Sequence, residues 1–152
     1  MAGTSQKTDE RSVGEAAGLP GVRECCRWYT DHKSWINEQH LQICRIPAPT
    51  FFEQERAEWF LRRFQELGCE ARLDGAGNVV ARPRKAPQEP CVVVSAHLDT
   101  VLAPRVPEEI AVEAGGRLRG PGVSDNGAGL AALVAIAAGK RADLAIWNVE
   151  RP

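Results

Sequence analysis

Two short stretches of this 152-residue chain carry residue types and spacings that suit chemistry. The first is His97-Leu98-Asp99, directly after an apolar run, Cys91–Ala96. If the chain stays extended there, side chains two apart point the same way. His97 can then ligate a metal while Asp99 accepts the proton on the other ring nitrogen, fixing the tautomer and raising ligand basicity. Taken alone, H-x-D also describes a surface histidine beside an unrelated aspartate. The second stretch is Gly120-Pro-Gly-Val-Ser-Asp125-Asn-Gly-Ala-Gly129, opening into an apolar segment. A phosphate-cradling reading fails on detail. Asp125 stands where a dinucleotide loop wants glycine, and there is no G-K-[ST]. A carboxylate at a helix N-terminus is favoured by ~0.3–1 kcal/mol, and its two oxygens can bridge two cations about 3.5–4 Å apart. A plain N-cap aspartate has the same pattern.

These residues need a scaffold. The chain from about Val22 to Cys44 reads as a helix with a loose stripe of Trp28, Trp35, Ile36 and Ile43. Ile46-Pro47-Ala48-Pro49 ends it. Thr50-Phe51-Phe52-Glu53 has the form of a capping box, and Ala57, Phe60, Leu61, Phe64 and Leu67 follow a helical period up to Gly68. Cys69–Leu73 and Asn78–Arg82 read as strands around the turn Asp74–Gly77. Cys91–Ala96, apolar on both faces, reads as a buried central strand. Ile110–Ala114 and Arg117–Arg119 flank a Gly115-Gly116 turn. Leu130–Ala138 reads as a helix and Leu144–Val149 as a last strand. Helices interleaved with strands predict an α/β fold, with helices packed on a mixed central sheet. Ligand groups in such sheets sit beyond strand carboxyl ends, where His97 falls. Met1–Pro20, without apolar period, is expected to be a disordered lead-in to a domain over residues 21–152.

Composition limits the classes. Nineteen Lys and Arg against twenty Asp and Glu give a net charge of −1. No basic excess favours nucleic acid, so the four tryptophans read as core or partial-surface aromatics rather than a base-stacking platform. The longest apolar run, Leu130–Ala138, is far short of the roughly 20 residues that span a bilayer, so no membrane is expected. The start shows no secretory pattern. Cys25, Cys26, Cys44, Cys69 and Cys91 are an odd set without C-x-x-C spacing, which suits a reducing cytoplasm. Cys91 reads as inert packing, Arg82–Lys85 as a solvated loop, and His32 and His40 as ordinary exposed histidines.

Together, Ser95-Ala-His-Leu-Asp-Thr-Val101 and Gly116-Arg-Leu-Arg-Gly-Pro-Gly-Val-Ser-Asp-Asn-Gly-Ala-Gly129 resemble the co-catalytic zinc exopeptidase family. Tripeptide aminopeptidase, acetylornithine deacetylase, succinyl-diaminopimelate desuccinylase and glutamate carboxypeptidase belong to it. Ile46–Thr50 and Asp74–Ala81 resemble its N-terminal region, so the likeness covers about residues 22 to 138. "SDNGAG" also resembles a sister family of zinc aminopeptidases. The resemblance implies a three-layer fold, metal ligands His97 and Asp125 (Asp125 bridging two zinc ions), and Asp99 as the catalytic-site residue orienting His97. It also implies a cis peptide at Asp125–Asn126. The implied chemistry is hydrolysis of a peptide or N-acyl amino acid by a metal-activated water, with a glutamate as general base.

The sequence departs from that pattern after its last strand. The family's adjacent pair of glutamates is missing; Glu150-Arg151-Pro152 follows instead, with Glu150 roughly where the pair would lie. A further acidic ligand, a final histidine and the inserted dimerisation domain have no counterpart. A catalytic zinc wants about three protein ligands. The expectation is therefore the N-terminal part of a catalytic domain, truncated and inactive alone. The alternative is a non-catalytic α/β fragment or interaction module with relic ligands. The two differ in whether His97 and Asp125 converge.

Overall fold

The structure, a computed structural model, describes residues 13–84, 92–139 and 143–147, the last without side chains. Helix α1 (Val13–Gly18) lies inside the segment read as a lead-in, whose residues 1–12 fall outside the described residues. The helix expected over Val22–Cys44 is two helices, α2 (Pro20–Asp31) and α3 (Lys33–Arg45). The break is at His32, whose ring stacks on Trp28 with centroids 4.2 Å apart and whose Nδ1 lies 2.8 Å from the Trp28 carbonyl. A side chain bonded to the backbone one turn back competes with the helical ladder. Helix α3 stops at Ile46, which turns extended before Pro47.

The route into α4 (Gln54–Glu66) differs from a capping box. The Phe52 amide bonds to the Pro49 carbonyl at 2.8 Å, closing a turn in which Phe51 takes φ +74°. Glu53 accepts from the Phe51 amide at 2.7 Å, satisfying a residue held in the left-handed region. The Thr50 hydroxyl is thereby released from capping duty. At its far end α4 stops as expected, with Gly68 at φ +85°.

Strands β1 (Cys69–Leu73) and β2 (Val79–Pro83) form the expected antiparallel hairpin. The Asp74 carboxylate accepts from the amides of Ala76 and Asn78 and from the Asn78 side chain, each at 2.9 Å. Strand β3 (Val93–His97) precedes a two-stranded hairpin, β4 (Ala111–Val112) with β5 (Leu118–Arg119). Helix α5 (Gly129–Gly139) and strand β6 (Asp143–Trp147) close the described chain. The main sheet is mixed and runs β1-β2-β6-β3, with β6 antiparallel to β2 and parallel to β3.

The core lies between this sheet and α3, α4 and α5. Ile43, Ala57, Phe60, Phe64, Leu130, Leu133 and Val134 meet Cys69, Val79 and Ala81, all buried, and Val94 and Ala96 pack against them. Among the described residues the other sheet face is bare. Glu70, Arg72, Arg82, Val93 and Ser95 are exposed on it. The apolar run leading to His97 is thus not a central strand here. β3 ends the sheet, and Val92 and Val93 are 74% and 57% exposed. Its double-sided apolarity asks for cover that the described residues supply on one face only. Cys91, Val149 and Glu150 lie outside the described residues.

Candidate metal centre

Strand β3 delivers His97 at its carboxyl end, and the chain turns sharply through Leu98-Asp99-Thr100. Leu98 and Thr100 are buried, at 0% and 2% exposed, and anchor that turn. The Thr100 amide donates to the Ala48 carbonyl at 2.8 Å. Arg56, 1% exposed on α4, donates to the Leu98 carbonyl (2.7 Å), the Thr100 hydroxyl (2.8 Å) and, through Nε and a terminal nitrogen, the Ile46 carbonyl (3.2 and 2.6 Å). One guanidinium fork therefore ties the turn before α4 to the turn after β3. Burial is the main reason its pKa falls to about 10, against the opposing pull of Cys44, Asp99 and Glu53.

The three side chains converge, the first pair by its spacing of two and the second across 28 residues. His97 Nδ1 lies 2.8 Å from Asp99 Oδ1, and His97 Nε2 lies 2.9 Å from Asp125 Oδ1. The Thr50 hydroxyl donates to Asp99 Oδ2 at 2.9 Å. A carboxylate at each nitrogen favours the doubly protonated ring. Partial burial opposes that charge, but the bonds and charges of Asp99 and Asp125 outweigh it and raise the His97 pKa. Burial likewise pushes Asp99 up, yet Thr50 and His97 pull it below its ordinary range. The side chain of Asp99 is 15% exposed, that of His97 33% and that of Asp125 87%.

Asp125 lies in the loop Val123–Ala128, entered through Gly122 at φ +72°; its own backbone is not helical (φ −115°, ψ 100°), and its peptide bond to Asn126 is cis. The Asn126 side-chain amide donates to the His97 carbonyl at 3.3 Å. On the other flank, His40 Nε2 lies 2.8 Å from the Val123 carbonyl. His40 is half-buried rather than exposed, because this loop packs on α3; His32 is exposed as expected.

The donor set suits a zinc-like cation. An imidazole nitrogen and a carboxylate oxygen face each other at 2.9 Å, well under twice the ~2.0–2.2 Å of a zinc–ligand bond. Among the described residues no group of three or more His, Cys, Asp and Glu side chains is placed to hold a metal. The fit is thus to two ligands, with Asp99 behind the first.

Thr50, Arg56, His40 and Asn126 escaped the sequence reading. Arg56 left a trace, a charge between the buried positions Glu53, Ala57 and Phe60 on the core side of α4. His40 left a weaker one, four residues before Cys44 on the side of α3 that also buries Ile43.

Residues 78–145 match the model of Peptidase family M28. No curated protein matches the sequence. Among solved structures, an aminoacylhistidine dipeptidase from Vibrio alginolyticus aligns at 24% identity and a TM-score of 0.56, over 72% of this chain and 26% of that one. A tripeptidase from Staphylococcus aureus aligns at 20% and 0.57, over 73% and 34%. A di-peptidase from Saccharomyces cerevisiae aligns at 15% and 0.63, over 80% and 33%. The chain shares its fold with these dipeptidase and tripeptidase structures, which are the kind of protein that the motif resemblance implies. The chain spans about a quarter to a third of the length of the structures it matches.

Proposed function

We propose that this chain is the N-terminal part, over residues 21–152, of a metal-dependent peptidase or amidohydrolase. It would act on peptide or N-acyl amino acid bonds, with zinc as the metal. The observation that carries this reading is the Asp99–His97–Asp125 chain of hydrogen bonds at the carboxyl end of β3. His97 and Asp125 would be the ligands. A divalent cation held there supplies an activated water and polarises the scissile carbonyl. Asp99 keeps the Nδ1 proton on His97 and so turns Nε2 outward, and Thr50 holds Asp99 in that orientation. The two described ligands fall short of the roughly three that a catalytic zinc takes, so the 152 residues alone would neither hold two zinc ions tightly nor hydrolyse peptides. The exposed Cys25 and Cys26 and the buried Cys44 and Cys69 are free thiols, which suits a reducing compartment such as the cytoplasm.

Metal analysis and calorimetry on the purified chain and on His97→Ala test this. Weak zinc uptake, abolished by the substitution, is expected. Equal uptake by both proteins would leave the rival, an α/β module with relic ligands. Two tightly bound zinc ions with dipeptide cleavage would refute the incomplete site.

A further inference from the structure

Asp125 reaches the site on a side chain that is 87% exposed and bonded to His97. Little beside the carboxylate fixes where it points, so its position depends on the backbone that carries it. That backbone is gripped on either side. One residue on, the Asn126 amide holds the His97 carbonyl. Two residues back, the Val123 carbonyl meets His40 Nε2 at 2.8 Å, across 83 positions of sequence. Between these grips the loop closes on itself, with the Gly127 amide donating to the Gly122 carbonyl at 2.9 Å. Gly127 also brings the loop directly against α3. A Cβ there would collide with Cys44 Sγ and the Gly122 carbonyl and come within 3.2 Å of His40 Nε2.

We propose that His40 is a positioning residue for the metal-ligating loop: its Nε2–H donates to the Val123 carbonyl and sets the distance between Asp125 and His97. The proposal rests on the metal-centre reading for its consequence, though not for its geometry. His40 touches neither metal nor substrate in this scheme. A carbonyl two residues before a ligand accepts one bond from outside its own loop, and loss of that bond lets Asp125 drift. Partners behind a ligand are worth 10–100-fold in metal affinity. Loss of the His40 donor should fall at the lower end, about tenfold, because Asn126 still holds the other flank.

The test compares His40→Gln, which keeps an N–H donor, with His40→Glu, which has the same shape and presents a carboxylate to the carbonyl. His40→Leu is a third, apolar variant. Zinc affinity is read by competition with a chromophoric chelator on the 152-residue protein. Loop docking is read without metal, from hydrogen exchange at the Gly127 amide, with amides of α5 as the control for folding. The expected result is near wild-type affinity and exchange for Gln. Leu and Glu should lose about tenfold in affinity and exchange Gly127 faster, with α5 unchanged. Affinity within twofold and unaltered exchange for Glu would overturn the proposal, and so would a Gln variant as impaired as Glu. If Leu fails to fold, the Gln and Glu pair decides. If the unaltered protein takes up no zinc, the metal reading falls on its own. Gly127 exchange then judges His40 alone: faster in Glu and restored in Gln supports it, unchanged in Glu overturns it.

Discussion

Replacing Arg56 with methionine keeps most of the aliphatic volume and removes the guanidinium from beneath the site. Four bonds of 2.6–3.2 Å to three acceptors are lost: the Ile46 and Leu98 carbonyls and the Thr100 hydroxyl. Hydrogen bonds to charged groups contribute about 1.5–3 kcal/mol each, so three acceptors give roughly 5–9 kcal/mol. Against this stands the cost of keeping a cation in a site that is 1% exposed. Its pKa, lowered from 12.5 to about 10, sets that cost at about 3 kcal/mol, at about 1.4 kcal/mol per unit. The balance favours the native residue by roughly 2–6 kcal/mol. Arg56→Met should therefore lower the unfolding free energy by about 3 kcal/mol, or Tm by about 6–12 °C for a chain of this size. Arg56→Lys should recover less than half, because one ammonium cannot fork to acceptors on two turns. Urea denaturation of the three proteins decides it. A loss under about 1 kcal/mol for Met, or full recovery with Lys, refutes the view that this fork joins the two turns.

Three further outcomes follow from the site and its loop. Thr50→Val removes the donor to Asp99 Oδ2 and should weaken zinc binding about tenfold with little change in fold; unchanged affinity in a calorimetric titration counts against a role for Thr50. The raised pKa of His97 means its paired imidazolium stabilises the fold fully below the unfolded value of about 6.5, an effect lost as pH rises through the folded value. Zinc must displace the Nε2 proton, so affinity should climb over the same interval; calorimetry at about pH 6 in buffers of different ionisation heat should count close to one proton released, and none released would show that Nε2 is not the ligand. Gly127→Ala drives a methyl into Cys44 and the Gly122 carbonyl and should cost about 1–3 kcal/mol, whereas Gly21→Ala, with open space around it in α2, should be neutral or slightly stabilising in the same melt.

Periodicity made the helices and hairpins legible, because burial of one stripe or one face is written locally. Helix α4, with Ala57, Phe60 and Phe64 buried, and the Asp74 turn are such cases. The His97–Asp99 pair was legible for the same reason: two residues apart on an extended chain is a local relation. Its meeting with Asp125 came from the motif resemblance, since no local rule joins residues 28 apart. The failures share a cause. Thr50 fits a capping box by spacing, but the left-handed turn at Phe51 redirects it to Asp99, 49 residues away. His40 bonds a carbonyl 83 residues on. Polar contacts between distant segments leave no period in the chain that makes them.

Val94 and Ala96 pack against the core, and alternation along the strand turns Val93, Ser95 and His97 to the opposite side. The imidazole thus stands at the rim of the sheet surface that no described helix shields. A polypeptide laid over that surface along its β3 edge would come up beside His97, so cover for the sheet and access to the imidazole are linked through one strand.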